Sequence, residues 1–256
     1  MKLYYPKTHY NKKYRSLVFP LLKPFVKGVR FKDQERIALY GVSDKDFQII
    51  EAIEVADCVI LTMAWNYYVK TKKEDIAIAF VKECAALKKK VIAFNAGDFG
   101  VQIPYFKNLV VIRPSGYNSK YMDNEYALPV FIADPLQKYY NTDRILKRIY
   151  NPRAIVGFCG QANPSRMHAI QEIGKTFLRN LRGYTGLSKE EAQQLFSTSF
   201  LRASVLKNLQ QSPDIETKFI LRKKYRAGIT VNKDTHKTTQ EFYENIKNSD
   251  YVMCAR

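Results

Sequence analysis

The pattern that most directly offers chemistry is Gly157-Phe158-Cys159-Gly160, a Gly-x-x-Gly at the end of an apolar run, with Arg166 a few residues on. Strand, glycine turn and helix start would follow one another there, with a cation in the first helical turn. The unpaired N–H groups at a helix start suit a phosphate. Spacing alone serves a plain tight turn equally well. Asp44-Lys45-Asp46 matches the Asp-x-Asp that holds a divalent cation and a diphosphate in some enzymes. Ser43 or Asp44 would also cap a helix over 47–53, where acids suit the first turn, and that is the reading adopted. Arg222-Lys223-Lys224-Tyr225-Arg226 interleaves cations with an aromatic ring, as single-stranded nucleic acid binders do. No helix-turn-helix or RNA-recognition signature accompanies it, so nucleic acid is not an expected partner.

Other chemistries find no support. Cys58, Cys84, Cys159 and Cys254 lack metal-ligand spacing, and His9, His168 and His236 are scattered. The cysteines read as structural thiols, and no metal is expected. Neither a Gly-x-Ser-x-Gly elbow nor the full Gly-x-Gly-x-x-Gly fingerprint occurs.

The elements that must position these residues alternate. Cys58-Val59-Ile60-Leu61-Thr62-Met63 is continuous and apolar, as a buried parallel strand requires. Thr71 and Glu74 form a capping box, after which Ile76, Phe80, Cys84 and Leu87 share one helical face, closed by Lys88, Lys89 and Lys90. Strands at Val91-Ile92-Ala93-Phe94 and Leu109-Val110-Val111-Ile112 flank the loop Asn95-Ala96-Gly97-Asp98-Phe99-Gly100. The second half restarts this grammar. A helix is expected over 143–150, a strand over 154–160, a helix over 165–181, and strands at 218–222 and 251–254. Ser188 with Glu191 and Thr238 with Glu241 are further capping boxes. A domain boundary is expected near Asn151-Pro152, giving domains 1–151 and 152–256. Residues 14–31 mix apolar and basic side chains. Pro20 and Pro24 forbid a regular amphipathic helix, so a loop covering the sheet is favoured over contact with anionic lipid.

Composition sets the class. The 256 residues are 46% hydrophobic and 26% charged with four Cys, which excludes disordered, collagen-like and disulfide-scaffold chains. Forty-two Lys and Arg against 24 Asp and Glu give a net charge of +18, a surface that attracts anions and that leaves a non-catalytic binding module for an anionic polymer or membrane surface as the alternative to an enzyme. No signal-peptide pattern or run of about 20 apolar residues is present, so a cytoplasmic protein is expected, with peripheral contact at the cytosolic membrane face.

Taken in order, several segments resemble the exostosin-like glycosyltransferases (family forty-seven of the sugar transferases), especially the compact bacterial type. The matching segments are 54–68, which opens Glu54-Val55-Ala56-Asp57 and runs through the strand that follows, the Gly97-Asp98 loop over 95–100, the stretch 124–135, which opens Asn124-Glu125-Tyr126-Ala127-Leu128-Pro129, and Val156-Gly157-Phe158-Cys159-Gly160-Gln161. Phe219-Ile220-Leu221-Arg222, Tyr225-Arg226-Ala227-Gly228 and the closing block, Phe242-Tyr243-Glu244-Asn245-Ile246 and Ser249-Asp250-Tyr251-Val252-Met253-Cys254 with Arg256, complete the set. The closing block is the most specific, and the resemblance runs over most of the chain.

This resemblance implies an α/β fold of two Rossmann-like domains in the GT-B arrangement, the first on the acceptor side and the second binding the nucleotide sugar. It implies inverting, metal-independent hexosyl or glycuronosyl transfer from a nucleotide sugar, expected to be UDP-linked. The acceptor would be a glycan or lipid-linked glycan, as in polysaccharide biosynthesis, and no cofactor is needed. Asp98 is the candidate base and Glu125 a second. Arg222, Arg226 and Arg256 are the candidates for the donor diphosphate, joined by Gly157, Gly160 and Arg166 at the turn and helix start. In the family the closing block continues into a glycine-rich turn and an acidic helix. The resemblance therefore implies a C-terminally truncated member, lacking roughly 60–100 residues of an ordinary second domain.

Overall fold

The apolar runs pair side by side and in parallel, in two separate sheets. The computed structural model describes residues 1–26, 33–43, 45–116, 118–129, 131–145, 147–222 and 236–254. The chain forms two units, one of Met1–Ala133 with Arg179–Gln193, the other of Asp134–Leu178 with Gln194–Arg256.

The first unit contains β1 (Lys2–Tyr4), α1 (Lys23–Val26), α2 (Asp33–Tyr40), β2 (Gln48–Ile49), β3 (Cys58–Ile60), α3 (Trp65–Lys70), α4 (Glu74–Ala86), β4 (Val91–Phe94), β5 (Leu109–Arg113) and β6 (Glu125–Ala127). The strands form one parallel sheet in the order β2-β1-β3-β4-β5-β6. Strand order reverses at β1, which has β2 on one side and β3 on the other. Burial alternates along β4 and β5, so Val91, Ala93, Leu109 and Val111 face one core, as the period-two geometry of a strand demands.

Helix α4 packs on this core through Ala77, Phe80, Val81 and Cys84, and burial pushes the Cys84 thiol up to about 12. Ile76 and Leu87, expected on that face, are exposed. The expected capping box is not formed, because Thr71 closes α3 instead, its hydroxyl donating to the Tyr67 carbonyl at 2.8 Å. Glu74 rather receives the Trp65 indole N–H at 2.9 Å.

Residues 14–26 lie over the sheet. Val18, Phe19 and Leu22 are buried, the Phe19 N–H donates to the Thr62 carbonyl (2.9 Å) and the Ala64 N–H to that of Leu17 (2.6 Å). The apolar part of this segment is core, which removes it as a lipid-facing surface; 27–31 lie outside the described residues. The expected helix over 47–53 is replaced by β2, whose Gln48 and Ile49 pair with Lys2 and Leu3. Ser43 starts a tight turn there, its N–H donating to the Asp46 carboxylate at 2.5 Å, and Asp44 lies outside the described residues.

The second unit contains α5 (Pro135–Tyr140), β7 (Ala154–Gln161), the first part of α6 (Arg166–Tyr184), α7 (Thr198–Gln210), β8 (Ile215–Arg222), α8 (His236–Lys247) and β9 (Tyr251–Val252). Its sheet is parallel, in the order β8-β7-β9, so strand order again reverses at the unit's first strand. The helix expected over 143–150 forms earlier. Asp134 caps α5 by accepting the Leu136 N–H at 2.8 Å, and Asn141 ends it in the left-handed conformation. Tyr139 packs on Tyr243 and Arg148 faces Asp250 at 3.6 Å, so 134–151 belongs with the second unit. The boundary therefore falls at Ala133, before the expected Asn151.

The stretch 179–193 returns to the first unit, where Lys189 pairs with Glu74 and Val101 bridges to Glu190. The expected capping box at Ser188 and Glu191 starts no helix. Helix α7 begins later under Ser197, whose hydroxyl accepts the Phe200 N–H at 3.2 Å. Thr238 already lies within α8. The second core is small, with Phe158, Ala162 and Leu206 packed against Ala203, Phe219 and Met253.

One titratable group is built into the first core. His9, in the turn after β1, has Nδ1 2.8 Å from the Tyr68 hydroxyl and its edge against Phe80, and burial holds its pKa below the usual value. The folded state favours neutral His9 and the unfolded state takes up the proton. Stability is therefore lost as pH falls from about 6.5 toward the lower folded value. Thermal unfolding of the wild type and His9→Gln between about pH 7.5 and 5 should show a smaller drop in the variant; parallel curves would refute this role.

Candidate functional site

In parallel α/β sheets, ligand chemistry gathers outside the carboxyl ends of the strands. In the first unit, the loop after β4 is held there by side chains. Asn95, fully buried, donates from Nδ2 to the Val101 carbonyl (2.9 Å) and accepts the Val101 N–H (3.0 Å). Asn66 does the same for Ala96, donating to its carbonyl at 3.0 Å and accepting its N–H at 2.6 Å. The Ser115 hydroxyl lies within hydrogen-bond distance of the Gly97 (3.0 Å) and Asp98 (2.6 Å) carbonyls, and Arg113 Nη2 donates to that of Phe99 at 3.1 Å. Side-chain donors thus reach four successive carbonyls, those of Gly97 and Asp98 sharing the single Ser115 proton. Gly97 and Gly100 take positive φ (87° and 75°), and a Cβ on Gly100 would stand 2.8 Å from the Asn95 amide. Asp98 rides exposed on this braced loop.

Arg113, closing β5, is the brace. Only 6% exposed, it also donates from Nε to the Ser115 carbonyl (2.9 Å), from Nη1 to Glu125 (3.2 and 3.4 Å) and from Nη2 to Glu191 (2.9 Å). Burial pulls its pKa down, but the Glu191 and Glu125 carboxylates outweigh that and hold it above the ordinary value. This corrects the expectation for Glu125. Its carboxylate is buried, paired with Arg113 and accepting the Met122 N–H at 3.2 Å, which makes it a structural anchor rather than a base poised for substrate. Arg113 itself was not singled out from sequence. The signal available was a cation closing the apolar run 109–112 immediately before Pro114-Ser115-Gly116.

In the second unit, Gly157 and Gly160 lie within β7, not in a turn. A Cβ on Gly157 would overlap the Ser249 hydroxyl and stand 2.8 Å from Asn245 Oδ1. The glycine therefore lets the end of α8 and the turn after it pack directly on the strand. Asn245, itself buried, ties α8 to β8 by donating to the Lys218 carbonyl at 2.8 Å. The turn after β7 is 162–165. There Asn163 Oδ1 accepts the Ser165 N–H (3.0 Å), and the Ser165 hydroxyl accepts the His168 N–H (3.3 Å), capping α6. Arg166 follows, exposed, in the first turn of α6 as expected.

Arg222 closes β8, on the other side of β7 from β9. Its Nη2 donates to the Thr238 carbonyl (2.9 Å) and to Glu241 (3.2 Å), so this guanidinium joins β8 to α8. Arg226 and Arg256 lie outside the described residues. Arg166 is thus the expected diphosphate contact that the described structure leaves exposed at a helix start beside the β7/β9 reversal. Among the described residues, no group of three or more His, Cys, Asp or Glu converges on one point.

No protein-family model, no curated protein and no solved structure matches this chain.

Two substitutions test these assignments. Gly157→Ala should lower unfolding free energy by about 1–3 kcal/mol through overpacking, measured by denaturant titration; a neutral result would contradict the close approach of α8. Arg113→Met leaves Glu125 buried without its cation and should cost about 3–5 kcal/mol in the same measurement.

Proposed function

We propose that this chain is a sugar transferase of the exostosin-like type, taking a nucleotide sugar in the second unit and serving the acceptor from the first. The observation that carries this reading is the pair of all-parallel sheets in separate units, each with its strand order reversing at its first strand. Such reversals leave a crevice at the carboxyl ends where nucleotides bind. The finer GT-B arrangement belongs to this proposal, as does action at the cytosolic face on a glycan or lipid-linked glycan.

In the proposed reaction, Asp98 takes the proton of the acceptor hydroxyl, whose oxygen attacks the anomeric carbon of the donor. The bond from that carbon to the diphosphate oxygen breaks, inverting the centre and releasing a nucleoside diphosphate. Negative charge grows on the departing phosphate, and Arg166 with the N-terminal N–H groups of α6 supplies the compensating field. Asp98 suits the base because its loop backbone is fixed by donors from Asn66, Ser115 and Arg113, which limits the motion of its Cα relative to the sheet.

Calorimetric titration with UDP and GDP at two salt concentrations, followed by transfer assays with the corresponding donors, tests the reading. Saturable binding should weaken about tenfold or more in Arg166→Ala. Asp98→Asn should keep that binding yet lose about 100-fold or more in transfer. A folded protein that binds neither diphosphate would overturn the proposal.

A further inference from the structure

The helices of the second unit leave a large apolar surface uncovered. On α6, Met167, Ile170, Phe177 and Leu178 are each more than half exposed. Ile170 lies three residues after Met167 and seven and eight before Phe177 and Leu178, so at about 100° per residue the four form one stripe along the helix. Beside it, between α6 and α7, lies a groove of about 570 Å³ lined chiefly by Ala169, Ile170, Ile173, Phe196, Phe200 and Leu201. Phe196 and Leu201 are themselves about half exposed. A contiguous apolar surface of this kind marks an interaction site.

The charge around it selects the partner. From 192 to 213 the sequence holds no acidic residue, while Arg202 and Lys207 are basic. Along α6 up to Leu178 the only acid is Glu172, whose carboxylate accepts the Ser197 hydroxyl and faces His168 Nδ1 at 3.4 Å. Lys175 is exposed three residues before Leu178, and Lys207 is exposed three residues after Ser204 at the groove. Two copies of this face would oppose like charges, which argues against self-association. Cations bordering an apolar stripe are the arrangement of helices that lie in a lipid interface. Among the described residues no helix is long and apolar enough to cross a membrane, so the contact is with its surface.

We propose that the α6–α7 face of the second unit docks on an anionic lipid surface, its apolar stripe entering the acyl boundary and Lys175 and Lys207 meeting the headgroups. The inference does not rest on the transferase reading.

Flotation of the full chain with vesicles tests it, comparing phosphatidylcholine alone with mixtures containing about 30% phosphatidylglycerol. Binding should require the anionic lipid and fall as salt rises from about 0.1 to 0.5 M. Ile170→Glu/Leu201→Glu, at exposed positions, should lose about tenfold or more in vesicle affinity. Lys175→Glu/Lys207→Glu should lose at least about five-fold per site while leaving the apolar stripe intact. Circular dichroism and melting confirm that both variants are folded. Absence of flotation by the wild type, or equal flotation of both folded variants, would overturn the proposal. So would dimerisation in sedimentation that Ile170→Glu/Leu201→Glu abolishes without vesicle binding, which would give the face to a second copy.

Discussion

Arg113 is where three stretches of the first unit converge: the β4 loop through the Phe99 carbonyl, β6 through Glu125, and the returning segment 179–193 through Glu191. A guanidinium suits this position because its planar fork reaches several acceptors at once without losing its charge. Burying an ion is costly unless its charge and donors are met. Here one carboxylate is buried with the cation while the other, Glu191, keeps about a third of its side-chain surface in water. Partial hydration of Glu191 moderates the repulsion between two carboxylates that share one cation. The arrangement orders a loop whose one large apolar side chain, Phe99, is half exposed, and so holds the Asp98 backbone in place at the carboxyl end of β4.

The two units solve the packing problem differently. The first buries aromatic and branched side chains from both the sheet and the segments over it, including Trp65, Tyr68, Phe19 and Val59. The second seats small polar side chains of α8 and the turn after it against the backbone of β7. Gly157 admits the end of α8, Asn245 and Arg222 fasten that helix to β8, and few large side chains are enclosed. Close approach of this kind aligns elements but removes little apolar area from water. Apolar residues of α6 and α7 are consequently left outside, available for contact.

Elements with long apolar runs were legible in the sequence. The strands at 58, 91, 109, 154 and 218 lie where their runs lie, and the helix at 166 starts where Ser165 can cap it. Failures occurred where one local signal stood without packing behind it. Ser188 and Glu191 have the spacing of a cap, yet Glu191 gains more from Arg113, a partner distant in sequence. Strands β1 and β2 are too short to carry a periodic signal and exist because their neighbours pair with them. Gly157 and Gly160 looked like a turn because glycine permits one, but glycine also permits close approach. Glu125 looked available because its ion-pair partner is itself an unremarkable arginine at the end of a strand. Position in the sheet, not residue type, separated Asp98 from Glu125.

The charge excess is set by composition, and the acids present are spent on joining the chain. Glu51 with Lys7, Glu74 with Lys189, Glu191 with Arg113, Glu190 with Arg179, Glu241 with Arg222 and Asp250 with Arg148 join segments far apart in sequence or separate elements. Each pair anchors chain, and each uses one cation with one acid, so the excess of 18 positive charges is left intact. With 42 basic residues against 24 acidic ones, the net charge is positive. Beyond about 8 Å at physiological salt that field is largely screened, so it guides anions in the last stage of approach and does not hold them. Retention must come from local geometry. A capped helix start with an adjacent guanidinium can retain a diphosphate, and an apolar face edged with lysines can retain a lipid surface. The same excess charge would serve either proposed ligand without specifying it, which is why composition points only to anions and the two proposals rest on the placement of Arg166, Lys175 and Lys207.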